Sequence, residues 1–173
     1  MKLKNYTQIS TKRGDQGTSK NYSNVELSKD DVLFETLGTI DELSSLLGVI
    51  YHYVKYNEEI KTIQRVLQTI NSLVATTDQK RLKEIAQVNQ TDVSFIEQLE
   101  QSLLSNVSIE RMFVLPGSET TKENAYVHLG RTVARRAERS LVRYIKLTER
   151  TDLYQALAYI NRLSDLLFII ANE

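Results

Sequence analysis

Apolar residues recur every three or four positions along most of this chain, the spacing that lays a stripe on one face of an α-helix. Leu43, Leu46, Leu47, Ile50 and Val54 form the first stripe and predict a helix over roughly residues 31–55. Asn57, followed by Glu58 and Glu59, reads as a cap and acidic first turn of a second helix reaching about residue 75, with Ile60, Ile63, Leu67, Ile70 and Val74 inside. Residues 76–91 are charged and ambiguous, with room for a short helical excursion. Asp92 is then expected to cap a third helix carrying Ile96, Leu99 and Leu103. The segment Phe113–Gly117, with the chain's single proline, breaks the period and predicts a loop. A fourth helix is expected over about 120–147 and a fifth over about 152–171. Residues 1–30 are polar, hydroxyl-rich and weakly periodic, the pattern of a structured arm. No segment reads as a strand and none repeats. The expectation is an all-α, up-down bundle of five helices with ferritin-like packing: one domain, with residues 1–30 as its arm and 31–173 as the bundle.

Composition narrows the chemistry. At 173 residues the chain suits one domain with a real core. Its 22 basic and 22 acidic residues cancel, which gives no general reason to bind nucleic acid or membrane, so any affinity for anions must be local. There is no cysteine, which removes disulfides, thiolate metal sites and a cysteine nucleophile. His52 and His128 alone are too few for a typical catalytic zinc site. The N-terminal residues lack the apolar run of a signal peptide and no stretch matches a membrane span, so a cytoplasmic protein is expected.

Four segments put polar groups where chemistry is possible. In the fourth helix Arg131, Arg135 and Glu138 fall within roughly 60° of one another, beside Ala134, Val142 and Ile145, so they border the core. An arginine cannot shed its proton, and burying it unpaired costs several kcal/mol. Such a stripe calls for an anion or carboxylate. Arg136, Arg139 and Arg143 turn away from the apolar side, as an ordinary solvated face would. The segment Thr11–Lys20 has Gly14 and Gly17 three apart, with hydroxyls and Lys12, Arg13 and Lys20 around them. It has the chemistry of a phosphate nest, in which backbone amides turn toward one point, but taken alone it reads first as a bland polar turn, and it lacks the Gly-Lys-Ser/Thr ending of a Walker loop. Asp41 is either a buried partner for Arg131 or an ordinary acidic residue in an early helical turn. Asn161 shares a strip with Leu157, Ser164 and Phe168, and a buried Asn needs partners, from a neighbouring helix or from a ligand. His128 reads as a packed or capping histidine, and the Tyr51, Tyr53 and Tyr56 group as packing.

In order along the chain, Thr11–Ser19, Ser28–Asp31, Gly38–Ser45, Phe113–Gly117, His128–Arg139 and Ile160–Asp165 resemble the motifs of the PduO-type ATP:cob(I)alamin adenosyltransferases. The resemblance implies a trimer of five-helix bundles with ATP held between subunits. It assigns the triphosphate of MgATP to the arm, through Thr11, Lys12, Gly14, Asp15, Gly17, Thr18 and Ser19. Lys29, Arg135, Arg136, Glu138, Arg139 and Asn161 would complete the nucleotide site, with magnesium carried on the ATP phosphates and no protein metal site. Arg131 would pair with Asp41 across a subunit boundary and reach the phosphates, and Phe113 would stand on the corrin side, displacing the lower ligand of cobalamin. The substrates would be MgATP and cobalamin, and the products adenosylcobalamin and triphosphate. A cob(II)alamin reductase and an adenosylcobalamin-dependent enzyme are the implied partners besides the chain itself. The chain departs from the family pattern at Ser44, Ser118, Asn21–Val25 and Leu166, in the spacing from Pro116 to Arg131, and in ending at Glu173 without the usual extension. A non-catalytic ATP- or cobalamin-binding carrier or sensor is the alternative, and a purely structural bundle with surface ion pairs the third reading.

Overall fold

The computed structural model describes residues 5–109 and 114–173; Phe113 lies outside them. The described chain is mostly helical. It opens on a single-turn helix, α1 (Tyr6–Ile9), and a two-stranded antiparallel ribbon, β1 (Thr18–Lys20) and β2 (Glu26–Ser28), in which Thr18 faces Ser28. Five long helices follow: α2 (Val32–Ile50), α3 (Asn57–Ala75), α5 (Gln90–Leu104), α6 (Lys122–Thr148) and α7 (Tyr154–Ala171), with a single-turn α4 (Gln79–Leu82) between α3 and α5.

The helix count therefore exceeds the expected five by the two single turns, and the expectation of no strands is corrected. Strands of three residues are too short to leave an alternating pattern in the sequence.

Helix ends follow local chemistry. Asp31 caps α2, accepting from the amide of Leu33 at 2.8 Å. The helix stops at Ile50, short of the expected residue 55: Tyr53 N–H bonds back to Ile50 O, and the Asn57 side chain donates to Tyr51 O at 2.5 Å, closing a turn. Val54 continues the apolar period because it packs on the core from that turn. Asn57 is thus the first residue of α3 rather than its cap. At α5 the cap is Asn89, which accepts from Thr91, while Asp92 accepts from the Asn89 amide at 2.9 Å. Asp92 is the reciprocal half of a capping box and not the cap itself.

The long helices pack in the order α3–α2–α6–α7–α5, successive ones in contact. Thr36, early in α2, bonds to Ser140, late in α6; Tyr144 Oη, late in α6, donates to Val74 O, late in α3; and Arg162 of α7 donates to Glu97 of α5. Ile40, Leu43, Leu47, Ile63, Leu67, Ile70, Leu141, Tyr159 and Leu163 are wholly buried. Each such aliphatic side chain contributes roughly 1.5–3 kcal/mol relative to exposure. Gly130 lets α6 approach α2 closely, since a Cβ there would lie 2.6 Å from Ile50 Cδ1.

Where α6 ends, Glu149 takes a left-handed φ of 56° and delivers Arg150 into the interior. Arg150 is 9% exposed and fully engaged. It grips Asp152 with two bonds of 2.7 Å and donates to Thr76 O at 3.0 Å and Leu73 O at 3.1 Å. One guanidinium thereby meets two carbonyls at the end of α3, while Tyr144 and the Tyr22 amide meet Val74 O and Ala75 O.

Candidate functional site

The arginine-bearing face of α6 forms one half of the site. Arg131 is half-buried, its guanidinium 6.0 Å from the ring centroid of Phe168 on α7, within cation–π range. Its Nε is buried without a hydrogen-bond partner. One turn earlier, His128 is 5% exposed and neither ring nitrogen is bonded. Burial, aided by the charge of Arg131, holds this imidazole below its ordinary pKa of 6.5.

One turn after Arg131 the stripe opens to solvent. Arg135, Glu138, Arg139, Val142, Arg143 and Lys146, with Leu147, line a cavity of about 630 Å³. Arg135 is exposed rather than set at the core border, and Arg139 donates to its carbonyl at 3.0 Å. Arg139 and Arg143 are expected from phase on the solvent side and Lys146 is not singled out by it, yet Arg143 and Lys146 continue the cationic wall. Their near-regular spacing from Arg139 carried that signal. Arg136 turns aside to an exposed ion pair with Glu42 of α2.

Glu138 is half-buried and anchors a chain of bonds. It accepts from Asn161 Nδ2 at 2.9 Å; Asn161 Oδ1 accepts from Arg162 at 2.6 Å; Arg162 Nε donates to Glu97 on α5 at 3.1 Å. Asn161 thus finds the neighbouring-helix partner that burial demanded. Near this chain's end sits Glu100, whose carboxyl is pushed up to about 7, first by burial and then by the charge of Asp165.

The arm forms a second, separate half. Gly17 adopts φ 81°, a left-handed conformation that favours glycine, and its carbonyl accepts from the Lys29 amide at 2.8 Å. Gly14 makes room for the Lys29 side chain, since a Cβ there would lie 2.7 Å from Nζ. The sequence-assigned Lys29 and glycine loop are therefore brought together. Thr11, Arg13, Gly14, Thr18, Ser19, Lys20 and Glu26 line a cavity of about 620 Å³. Lys12, Asp15 and Gly17 are exposed. The loop is a polar turn, as spacing favoured, and not an open nest: the Asp15 and Gly17 amides close turns on the carbonyls of Lys12 and Gly14, at 3.3 and 3.2 Å. Arg13, Lys20 and Lys29 supply the positive charge instead. Buried Asn21 fastens the arm to the end of α3 through Thr77 Oγ1 at 3.1 Å, and Tyr22 N–H bonds Ala75 O at 3.0 Å. This fastening falls within residues 21–25.

The arm cavity and the α6 cavity share no lining residue. Asp41 belongs to neither. It is exposed and lines a third groove, of about 430 Å³, with Ser44, Gln64, Gln68 and Asn71. The reading of Asp41 as a buried partner is corrected for the single chain, because Ile40 and Leu43 take the core positions and turn residue 41 outward. Among the described residues no three His, Cys, Asp or Glu side chains gather to hold a metal ion, and no helix is long and apolar enough to cross a membrane.

Comparison with known proteins matches this geometry to one family. The model of the cobalamin adenosyltransferase family matches residues 9–173. A corrinoid adenosyltransferase of Citrobacter freundii is 35% identical over 167 residues, covering 94% of this chain and 92% of that one. The human corrinoid adenosyltransferase MMAB is 35% identical over 171 residues, covering 94% of this chain and 67% of its own length. A phenylalanine-to-alanine variant of the PduO-type ATP:corrinoid adenosyltransferase from Lactobacillus reuteri, complexed with cobalamin and ATP, superposes with a TM-score of 0.84 at 29% identity, covering 95% of this chain and 91% of that one.

Proposed function

The chain belongs to the cobalamin adenosyltransferase family, and from that premise we propose that it transfers the 5′-deoxyadenosyl group of ATP to cob(I)alamin, giving adenosylcobalamin and triphosphate. Reduced cobalt, part of the substrate, is the nucleophile that attacks the 5′ carbon as the carbon–oxygen bond to triphosphate breaks. The protein then needs no nucleophile and no general base, in accord with a chain without cysteine. Its task is to hold the carbon in line with cobalt and to stabilise charge growing on the leaving group.

The observation that carries this reading is Arg131, half-buried with its Nε unbonded among the described residues. A cation kept so is suited to an anion arriving from outside. Arg131 would face the phosphates, with the carboxylate of Asp41 on a second copy fixing its orientation. Asp41 is available for this role because it is exposed. Arg135, Glu138, Arg139 and Asn161 would bind the nucleotide from α6 and α7, with Arg136 at the edge. Thr11, Lys12, Gly14, Asp15, Gly17, Thr18, Ser19 and Lys29 of a neighbouring arm would hold the triphosphate.

Two cationic cavities on separate surfaces of one chain form a single site only when copies meet, and this supports a homotrimer. Magnesium would ride on the ATP phosphates. Phe113 would serve the corrin face, and the enzyme would work in the cytoplasm beside a cob(II)alamin reductase and an adenosylcobalamin-dependent enzyme.

The test is an anaerobic assay with cob(I)alamin and MgATP, following the colour change on cobalt alkylation. Conversion at a catalytic rate is expected. ATP binding without conversion would leave only a carrier or sensor, and a monomer by light scattering would remove the shared site.

A further inference from the structure

The α6 cavity continues past the residues that the family pattern assigns to the nucleotide. Arg143 and Lys146 stand on its wall, one and two turns beyond Arg139. Arg135, Arg139 and Arg143 are spaced four apart, so they are neighbours on one helix face with about 6 Å of rise between successive members. Like charges at that spacing repel and weaken a helix. On the adjoining face the chain relieves its cation, since Arg136 is matched by Glu42. Here it does not. The cavity wall carries four cations against one carboxylate, Glu138, and that carboxylate already accepts from Asn161 at 2.9 Å. Arg143 and Lys146 are exposed, and neither has a hydrogen bond or ion pair among the described residues. In a chain whose charges cancel overall, the surplus is local. The helix dipole accounts for Lys146, which lies in the last turn of α6, but Arg143 lies before that turn.

We propose that Arg143 and Lys146 are the capturing end of this cavity: their field draws a polyphosphate chain toward Arg135 and Arg139 and so raises the rate at which the site fills. Clustered cations in a concave surface concentrate an anion and speed its association by tenfold or more. Dissolved salt screens that attraction beyond about 8–10 Å. The two side chains act as charge at a distance, not through one directed bond, so a lysine can stand in for the arginine at 143. That the polyphosphate is the tail of ATP rests on the transferase reading; the capture of polyphosphate does not.

The test has two arms on the full chain and compares wild type with the double variant Arg143→Gln/Lys146→Gln. In the first, calorimetry follows the binding of inorganic triphosphate with magnesium, and stopped flow follows the association of a fluorescent ATP analogue, both across a range of salt. At low salt the double variant should bind triphosphate more weakly and take up the analogue roughly tenfold more slowly. Its dependence on salt should be shallower, so that the gap closes as salt rises. Arg143→Lys should behave as wild type.

In the second arm, kcat and KM for ATP are measured at low salt. The double variant should lose kcat/KM by a similar factor, with the loss carried by KM. The proposal is overturned if wild type fails to bind triphosphate at low salt, or if the double variant matches wild type in association rate and salt dependence. It is overturned equally if Arg143→Lys is as slow as the double variant. A lower melting temperature with unchanged association would assign both residues to the helix end alone. Because the first arm needs no turnover, a wild type that binds triphosphate without alkylating cob(I)alamin would sink the transferase reading and leave the capture standing.

Discussion

Arg150 and Arg131 are the same side chain set at two helix-lined positions, and their surroundings differ in one respect. Arg150 meets a carboxylate and two carbonyls within its own chain, all at hydrogen-bonding distance. Arg131 meets an aromatic face, and its Nε has no partner among the described residues. A guanidinium satisfied by its own fold is part of the scaffold. One held near the interior and left unsatisfied is kept for something that arrives later. The burial of the two does not separate these roles as well as the accounting of their donors does.

The contrast breaks most easily at Arg150. Arg150→Ala would strand Asp152 and the last carbonyls of α3, and should lower unfolding free energy by about 3–5 kcal/mol in urea titrations. Adenosyl transfer should be affected only as far as folded protein is lost. Arg131→Ala should give the reverse: a loss of roughly hundredfold or more in adenosylcobalamin formation, equivalent to about 3 kcal/mol of transition-state stabilisation, with a melting temperature within a few degrees of wild type. If Arg131→Ala unfolded the protein, or turned over normally, the distinction between the two arginines would fail.

Glu100 sharpens the comparison from the acidic side. Its carboxyl is raised from 4.5 to about 7 in the folded state, so the folded chain binds its proton more tightly than the unfolded chain does. The stability linked to this group is fully present below 4.5 and is lost as pH rises through 7. Glu100→Gln should therefore stabilise the protein at pH 8, by about 2 kcal/mol at most, and leave it nearly unchanged at pH 4. Equal effects at both values would mean that packing, and not charge, governs the site. At the small end stands the Arg136–Glu42 pair, exposed on both sides. Glu42→Gln should shift stability by no more than about 0.5 kcal/mol, and a larger change would show that surface pairs also hold this bundle.

The long helices were legible because each carries a buried stripe whose period is local. Their caps were legible to within a turn: Asp92 was recognised as a terminus signal, but Asn89, three residues earlier, holds the cap. Arg150 was not legible, because the carbonyls it serves come from Leu73 and Thr76, more than seventy residues away in sequence. The ribbon of the arm escaped for the opposite reason, being too short to show alternation. In the site, phase set Arg131 and Glu138 beside the core, but it set exposed Arg135 there too, and it did not foretell that Arg136 would prefer Glu42 or that Arg143 would join the cavity wall. The juxtaposition of Lys29 with Gly14 came from the resemblance; its physical basis is the missing Cβ at Gly14.

The Glu138–Asn161–Arg162 chain of bonds gives position 161 a directional requirement. A primary amide presents a donor at one end and an acceptor at the other, and here the donor end meets an anion while the acceptor end meets a cation. Neither charge tolerates the wrong end, so the amide is locked against flipping and acts as an adapter between opposite polarities. An aspartate at 161 would match Arg162 and repel Glu138, and a lysine would do the reverse. No side chain of one sign can serve both neighbours at that place.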